Sequence, residues 1–201
     1  MNIQEYWWST SLSHYYKKRR FNKIVNLLNI DLEKDLNILD VGSATGKDFI
    51  KFLNGRKNLK ITGVDIDKYT LEQDNVTQLL CDAQELSFPD KSFDITISIG
   101  LLEHIEPIEK ISKILSEIDR VSKSYCLIVP CINTIIEPHL KSYRWQMRDR
   151  NHKKQINDVG VNYLSDDAWT KFTNLNGAKT ERLWYIPFLI SNLIIYKRDN
   201  N

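Results

Sequence analysis

The sequence has little cysteine, and what it has is wrongly spaced for metal. Cys81, Cys126 and Cys131 contain no C-x-x-C pair, which excludes a zinc ribbon or a redox dithiol. An odd number also argues against a closed disulfide framework. This usage suits a reducing compartment, and a cytoplasmic location is expected. Neither sign of charge predominates: 28 Lys and Arg face 26 Asp and Glu, a formal +2, which by itself calls for no nucleic-acid or acidic partner. No apolar run is long enough to span a bilayer. The longest, Ile186 to Tyr196, is broken by Pro187 and Asn192. The first residues are polar and aromatic, without a charged-then-apolar leader, so no secretory signal is expected. Repeats and low-complexity linkers are missing too. What remains is ordinary for a globular chain: 42% hydrophobic and 27% charged residues over 201 positions. That predicts a single domain over 1–201, large enough to cover both faces of a sheet.

The most informative stretch is NILDVGSATGKDFI, residues 37–50. It predicts a short apolar strand, a tight turn of small residues, and then an amphipathic helix. Gly42, Ala44 and Gly46 leave no bulk to keep backbone N–H groups from a ligand. The strict dinucleotide fingerprint needs G-x-G-x-x-G so that a pyrophosphate can rest on the helix end. Here small residues fall at every second position, which suits a ligand without a pyrophosphate. A second strand, Lys60 to Ile66, places Asp65 at its carboxyl end, the position of a ribose-binding acid in a βαβ unit. A third strand ends at Cys81, a polar loop carries Asp82, and a fourth strand spans Phe93 to Ile99.

In these residues the chain resembles the class I S-adenosylmethionine-dependent methyltransferases of the small-molecule and quinone-type group. The matching segments are LDVGSATG (39–46), GVD (63–65), CDA (81–83), FPDKSFD (88–94) and LEH (102–104), in the family's order, with the resemblance covering about residues 35–197. One position departs from the pattern: Ala44 stands where the family usually has its middle glycine. The resemblance implies a Rossmann-like α/β fold, with a seven-stranded, mostly parallel sheet, an antiparallel last strand and helices on both faces. It implies S-adenosylmethionine as cofactor, held by Arg20, Asp40, Gly42, Ser43, Ala44, Gly46, Asp65, Ile66, Asp82, Ala83 and Ile99, with His104 as the candidate catalytic residue and no metal.

The rest of the chain reads consistently with that fold. Pro107 to Val121 carries apolar residues at helical spacing, with Pro107 suited to a first helical turn. Tyr125 to Val129 predicts a buried parallel strand. Ser165 is placed to cap a helix that Gly177 stops, and Lys179–Ile186 with Leu189–Lys197 predicts a closing hairpin. Two segments lie outside. Residues 1–34 predict a helical cover, with aromatic residues, the basic run Lys17 to Arg20 and a stripe from Phe21 to Leu28. Residues 132–163 form a basic, Trp-bearing insertion on the substrate side. Specificity is expected in these two places.

Each candidate also has a plainer role. Asp65 could cap the following helix, Asp82 could be a solvated loop acid, and Asp40 could brace the glycine turn through local hydrogen bonds. Lys17 to Arg20 could be a solvated helix face or a site for the cofactor's carboxylate. Imidazoles titrate near neutrality, so His104 could take a proton from an attacking hydroxyl or amine, or simply tie its loop to a carbonyl. A metal-binding Glu-x-x-Glu-His cluster is incomplete, because Gly100 occupies its first position. Cys131 reads as a buried thiol, since the second cysteine pattern of cytosine-C5 RNA enzymes is absent. The Asn/Asp-Pro-Pro-aromatic tetrad of base-amine methylating enzymes is absent as well. The expected activity is therefore methyl transfer to an oxygen or nitrogen, with an anionic or aromatic small molecule as acceptor, and nucleic acid or protein left open. The alternative is a catalytically silent S-adenosylmethionine-binding regulatory or scaffolding module. A NAD-dependent oxidoreductase fails on the glycine spacing and the closing hairpin.

Overall fold

The computed structural model describes residues 11–43, 48–67, 75–131, 134, 136–137, 142–143, 164–174, 177–186 and 190–199. In chain order these form helix α1 (Ser11–Leu28), strand β1 (Leu36–Val41), a 3-10 turn (Ile50–Leu53), β2 (Leu59–Asp65), β3 (Val76–Leu80) and β4 (Phe93–Ile99). A second 3-10 turn (Leu102–His104) leads to α2 (Glu109–Val121) and β5 (Ser122–Pro130). Then follow the two-residue strands β6 (Ile136–Glu137) and β7 (Ser142–Tyr143), α3 (Asp166–Asn174), β8 (Lys179–Ile186) and β9 (Ile190–Lys197).

Seven strands make one sheet in the order β3-β2-β1-β4-β5-β9-β8. The first five run parallel, and β9 enters antiparallel to both β5 and β8. β6 and β7 pair separately. Strand alternation divides the core in two. Leu39, Val41, Tyr125, Leu127 and Val129 point to the side of α2 and α3, around Ile111, Ile114, Leu115, Ile118 and Trp169. Ile38, Ile97, Cys126 and Ile128 point to the other side, against Ile24 and Leu28 of α1 and the segment Phe49 to Leu53. Helices thus cover both faces, as the sequence predicts.

Local chemistry sets the element ends. α1 stops where Asn29 adopts φ +54, and the Ile30 N–H reaches back to the Val25 carbonyl at 2.9 Å, a left-handed cap in which asparagine replaces glycine. α3 begins with Ser165 Oγ accepting the Ala168 N–H at 3.2 Å, as the sequence reading expected; its last described residue is Asn174, and Gly177 follows at φ +68. Three boundaries differ from the sequence reading by more than one residue or in kind. The amphipathic helix expected after the glycine turn is, among the described residues, only the 3-10 turn Ile50–Leu53. Asn54 and Gly55, the latter at φ +80, cut it short before β2. α2 begins at Glu109 rather than Pro107, whose carbonyl instead accepts the Lys110 N–H at 3.0 Å. β5 is longer than Tyr125–Val129, because β4 pairs it from Ser122 to Ile128 and β9 from Tyr125 to Pro130.

Candidate active site

Strand order reverses between β1 and β4, and a parallel sheet opens a crevice at the carboxyl ends of its strands at such a point. Four chain ends meet there. From β1 come Gly42 and Ser43, whose N–H groups both reach the Val64 carbonyl of β2, at 2.8 and 3.2 Å. Gly42 has φ +74, and a Cβ built on it would lie 2.9 Å from Leu101 Cβ. Only glycine fits, both in conformation and in space. Gly63 on β2 is limited in space alone, because its Cβ would meet Ser43 Oγ at 2.7 Å. Ser43 is 7% exposed, and among the described residues its buried Oγ has no hydrogen-bond partner. A buried hydroxyl left in this state at a turn of small residues is a polar atom placed to meet a ligand. Ala44 and Gly46 lie outside the described residues.

From β2 come Asp65 and Ile66. Asp65 is half-buried, and its Oδ1 accepts the Asp67 N–H at 3.2 Å, the short-range contact expected of a capping acid. Ile66 is 71% exposed, a large apolar side chain displayed beside that carboxylate. The Cys81 N–H donates to the Asp65 carbonyl at 2.9 Å, which draws the end of β3 alongside. Asp82, exposed, is organised by its own loop: Oδ1 accepts the Gln84 N–H at 2.8 Å. Ala83 next to it is buried. From β4 come Ile99, half-buried, and Gly100, at φ +75, whose N–H donates to the Ile128 carbonyl at 3.2 Å.

Asp40 is 6% exposed at the end of β1. Burial, reinforced by the negative charges of Asp48 and Asp65, pushes its carboxyl up to about 7. No described residue donates a hydrogen bond to that carboxyl, so its brace on the turn is not made within the described structure. A ligand bringing positive charge would relieve this excess of carboxylates. Arg20, expected at the cofactor's carboxylate, is bonded to Asp48, and Lys17 lies 3.3 Å from the same oxygen. Both cations thus face the Asp48 carboxylate beside the turn. Asp48 is the residue that sequence reasoning missed. Its only signal was its place directly after the turn, with two cations on a helix far away in sequence.

The Glu-His pair divides. Glu103 is 2% exposed, with Oε1 3.5 Å from where a Gly100 Cβ would stand. His104 is exposed on the 3-10 turn, its N–H bonded to the Leu101 carbonyl at 2.9 Å. Cys131 is buried, with Sγ 3.3 Å from Asp166 Oδ1. Among the described residues no group of His, Cys, Asp or Glu is arranged to hold a metal ion, and no helix is long and apolar enough to cross a membrane.

Comparison with known proteins agrees with this geometry. Residues 39–129 match the model of the methyltransferase domain family. No curated protein matches the sequence. Among solved structures, a protein from an antibiotic biosynthesis pathway of Anabaena variabilis is 22% identical, with a TM-score of 0.59, over 82% of this chain and 63% of its own. This chain thus spans less than two thirds of that protein. A S-adenosylmethionine-dependent methyltransferase from Aquifex aeolicus is 15% identical, with a TM-score of 0.58, over 88% of this chain and 87% of its own. The 1,6-didemethyltoxoflavin-N1-methyltransferase of Burkholderia thailandensis, solved with its substrate and S-adenosylhomocysteine, is 14% identical, with a TM-score of 0.61, over 98% and 82%. At these identities the likeness is one of fold. With the family match over β1 to β5 and the sheet order above, the chain is similar to the methyltransferase domain family over residues 39–129 and has the fold of these solved methyltransferases.

Proposed function

We propose that the protein transfers the methyl group of S-adenosylmethionine to an oxygen or nitrogen of a small molecule, within one domain over residues 1–201. The observation that carries this is the rim itself: a left-handed Gly42 pressed against Leu101, a buried unsatisfied Ser43 hydroxyl, and the acids Asp65 and Asp82 at successive strand ends. When bound, S-adenosylmethionine supplies a methyl group activated on a sulfonium, with a neutral leaving group.

The protein's own task is to bind, align and exclude water. Asp65 accepts hydrogen bonds from the ribose hydroxyls. Ile66 and Ile99 pack against the adenine, whose polar edge meets Asp82 and the backbone of Ala83. Gly42, Ser43, Ala44 and Gly46 bring main-chain groups up to the amino-acid moiety, and buried Asp40 balances its positive charge. Arg20, with Lys17, provides the positive field that a carboxylate needs. His104, exposed on the turn after β4, accepts the proton that the nucleophile loses. The choice of acceptor falls to the two outlying segments, 1–34 and 132–163, of which 1–10 and most of 132–163 lie outside the described residues. Their basic and aromatic side chains favour an anionic or aromatic small molecule, and a cytoplasmic setting suits it.

The test is ligand stabilisation. S-Adenosylmethionine and S-adenosylhomocysteine should raise the melting temperature by mass action, whereas NAD should not. Asp65→Ala should lose most of that response, since charge-assisted hydrogen bonds contribute roughly 1.5–3 kcal/mol each. No stabilisation by either adenosyl ligand removes the proposal, and unchanged affinity in Asp65→Ala moves the ribose elsewhere. Labelled methyl transfer to metabolite, lipid, RNA and protein extracts then separates an active enzyme from a silent cofactor-binding module.

A further inference from the structure

We infer that the opposite end of the sheet carries a second site, one that binds a phosphate group. A cavity of about 380 Å³ lies there, lined by Asn26 and Leu27 of α1, Gly177, Lys179 at the start of β8, and Tyr196 and Arg198 at the end of β9. β9 ends alongside the beginning of β5, with Lys197 opposite Tyr125. The cavity is therefore at the amino-terminal side of the parallel strands, away from the crevice.

Strand alternation decides which cations face it. Lys179 pairs directly with Tyr196, and Arg198 follows two residues later, so all three project toward the α1 side. Tyr196 packs in the α1-side core, which fixes that orientation. Lys197, which also lines the cavity, is drawn to the other face, where its Nζ lies 2.7 Å from Asp119 of α2. Glu181, on the same face of β8 as Lys179, is bonded to Lys23. No carboxylate lines the cavity, and among the described residues neither Lys179 nor Arg198 has an ion pair.

Two opposing effects are present, and both are small here. The carboxyl end of a helix disfavours anions, but the Val25 and Asn26 carbonyls of α1 are already capped by the N–H groups of Ile30 and Asn29. Arg198 also borders an adjoining cavity holding Asp31, Lys34, Asp94, Lys123 and Asp199. Three aspartates there face two lysines besides Arg198; Asp94 is spent on Lys123 at 2.8 Å, and among the described residues no ion pair joins Arg198 to the other two. The first cavity alone offers an anion two uncommitted cations, an amide and a phenol, the donor set that a phosphate's oxygens need.

The probe is inorganic phosphate at constant ionic strength, with glycerol 3-phosphate as a second arm to distinguish a free ion from a phosphomonoester. Titration calorimetry on the full chain should show saturable binding. The Lys179→Ala/Arg198→Ala double variant should weaken it roughly 10- to 100-fold, given the strength of charge-assisted hydrogen bonds. Lys179→Arg should restore much of it in the single-site background. Lys57→Ala, an exposed lysine elsewhere, controls for net charge and should change nothing. The melting temperature of each variant shows that it is folded, independently of any cofactor response. Equal stabilisation by sodium chloride, an unchanged affinity in the double variant, or tight binding of an RNA oligonucleotide that phosphate does not displace would each overturn the inference.

Discussion

Replacing Asp40 with asparagine should make the ligand-free protein more stable at neutral pH. In the native chain the carboxyl is 6% exposed, and its pKa lies near 7 instead of the ordinary 3.8. Desolvation is the main cause, and the charges of Asp48 and Asp65 add to it. Between about pH 4 and 7 the folded state therefore holds a proton that the unfolded state has released. Stability falls as pH rises through that window, and the full cost is felt above it. A rise from 3.8 to about 7, at roughly 1.36 kcal/mol per pH unit, gives a ceiling of about 4 kcal/mol at pH 8. The asparagine side chain has nearly the same shape and no charge. Urea unfolding at pH 5, 6, 7 and 8 should show the two proteins converging at the acid end and the variant gaining at least about 1 kcal/mol at pH 8. Subtracting one curve from the other cancels every other titrating group. Asp94 and Glu117, whose pKa values are lowered by their lysine and arginine partners and by backbone N–H groups against the opposing effect of burial, lose their contributions only at lower pH. S-Adenosylmethionine, with its sulfonium charge, should bind the native protein more tightly as Asp40 ionises. Parallel stability curves for the two proteins across this range would show that burial does not raise the Asp40 carboxyl toward neutrality.

Two further outcomes follow from the rim. Gly42→Ala should destabilise the fold by roughly 1–3 kcal/mol and abolish adenosyl-ligand stabilisation, because the new methyl meets Leu101 at 2.9 Å in a left-handed conformation; a variant that melts and binds as the native protein does would refute the packing of that turn. His104→Ala should lower the methyl-transfer rate about 10²- to 10⁴-fold with cofactor affinity nearly intact, whereas a small loss in single-turnover assays would mean that alignment alone drives the reaction.

Much of this protein was legible in the sequence because its signals are local. An apolar strand ending in small residues, an acid at the end of the next strand, Ser165 before a helical stripe and Gly177 after it each act within a few residues of themselves. Their order was enough to give the α/β class, the strand sequence and the antiparallel closing hairpin. The tertiary structure alone decided what depends on distant partners. It brought Arg20 and Lys17 of α1 to Asp48, pressed Leu101 against Gly42, and drove Glu103 into the interior while leaving His104 exposed. Among the described residues it left only a 3-10 turn after the glycine turn, and it turned Asp40 into a neutral-range acid by burial. It also divided neighbouring lysines by strand alternation, sending Lys197 to Asp119 and leaving Lys179 beside Arg198 in a separate cavity. Pairings of this kind depend on how the chain folds back through space, and spacing along the sequence carries no record of them.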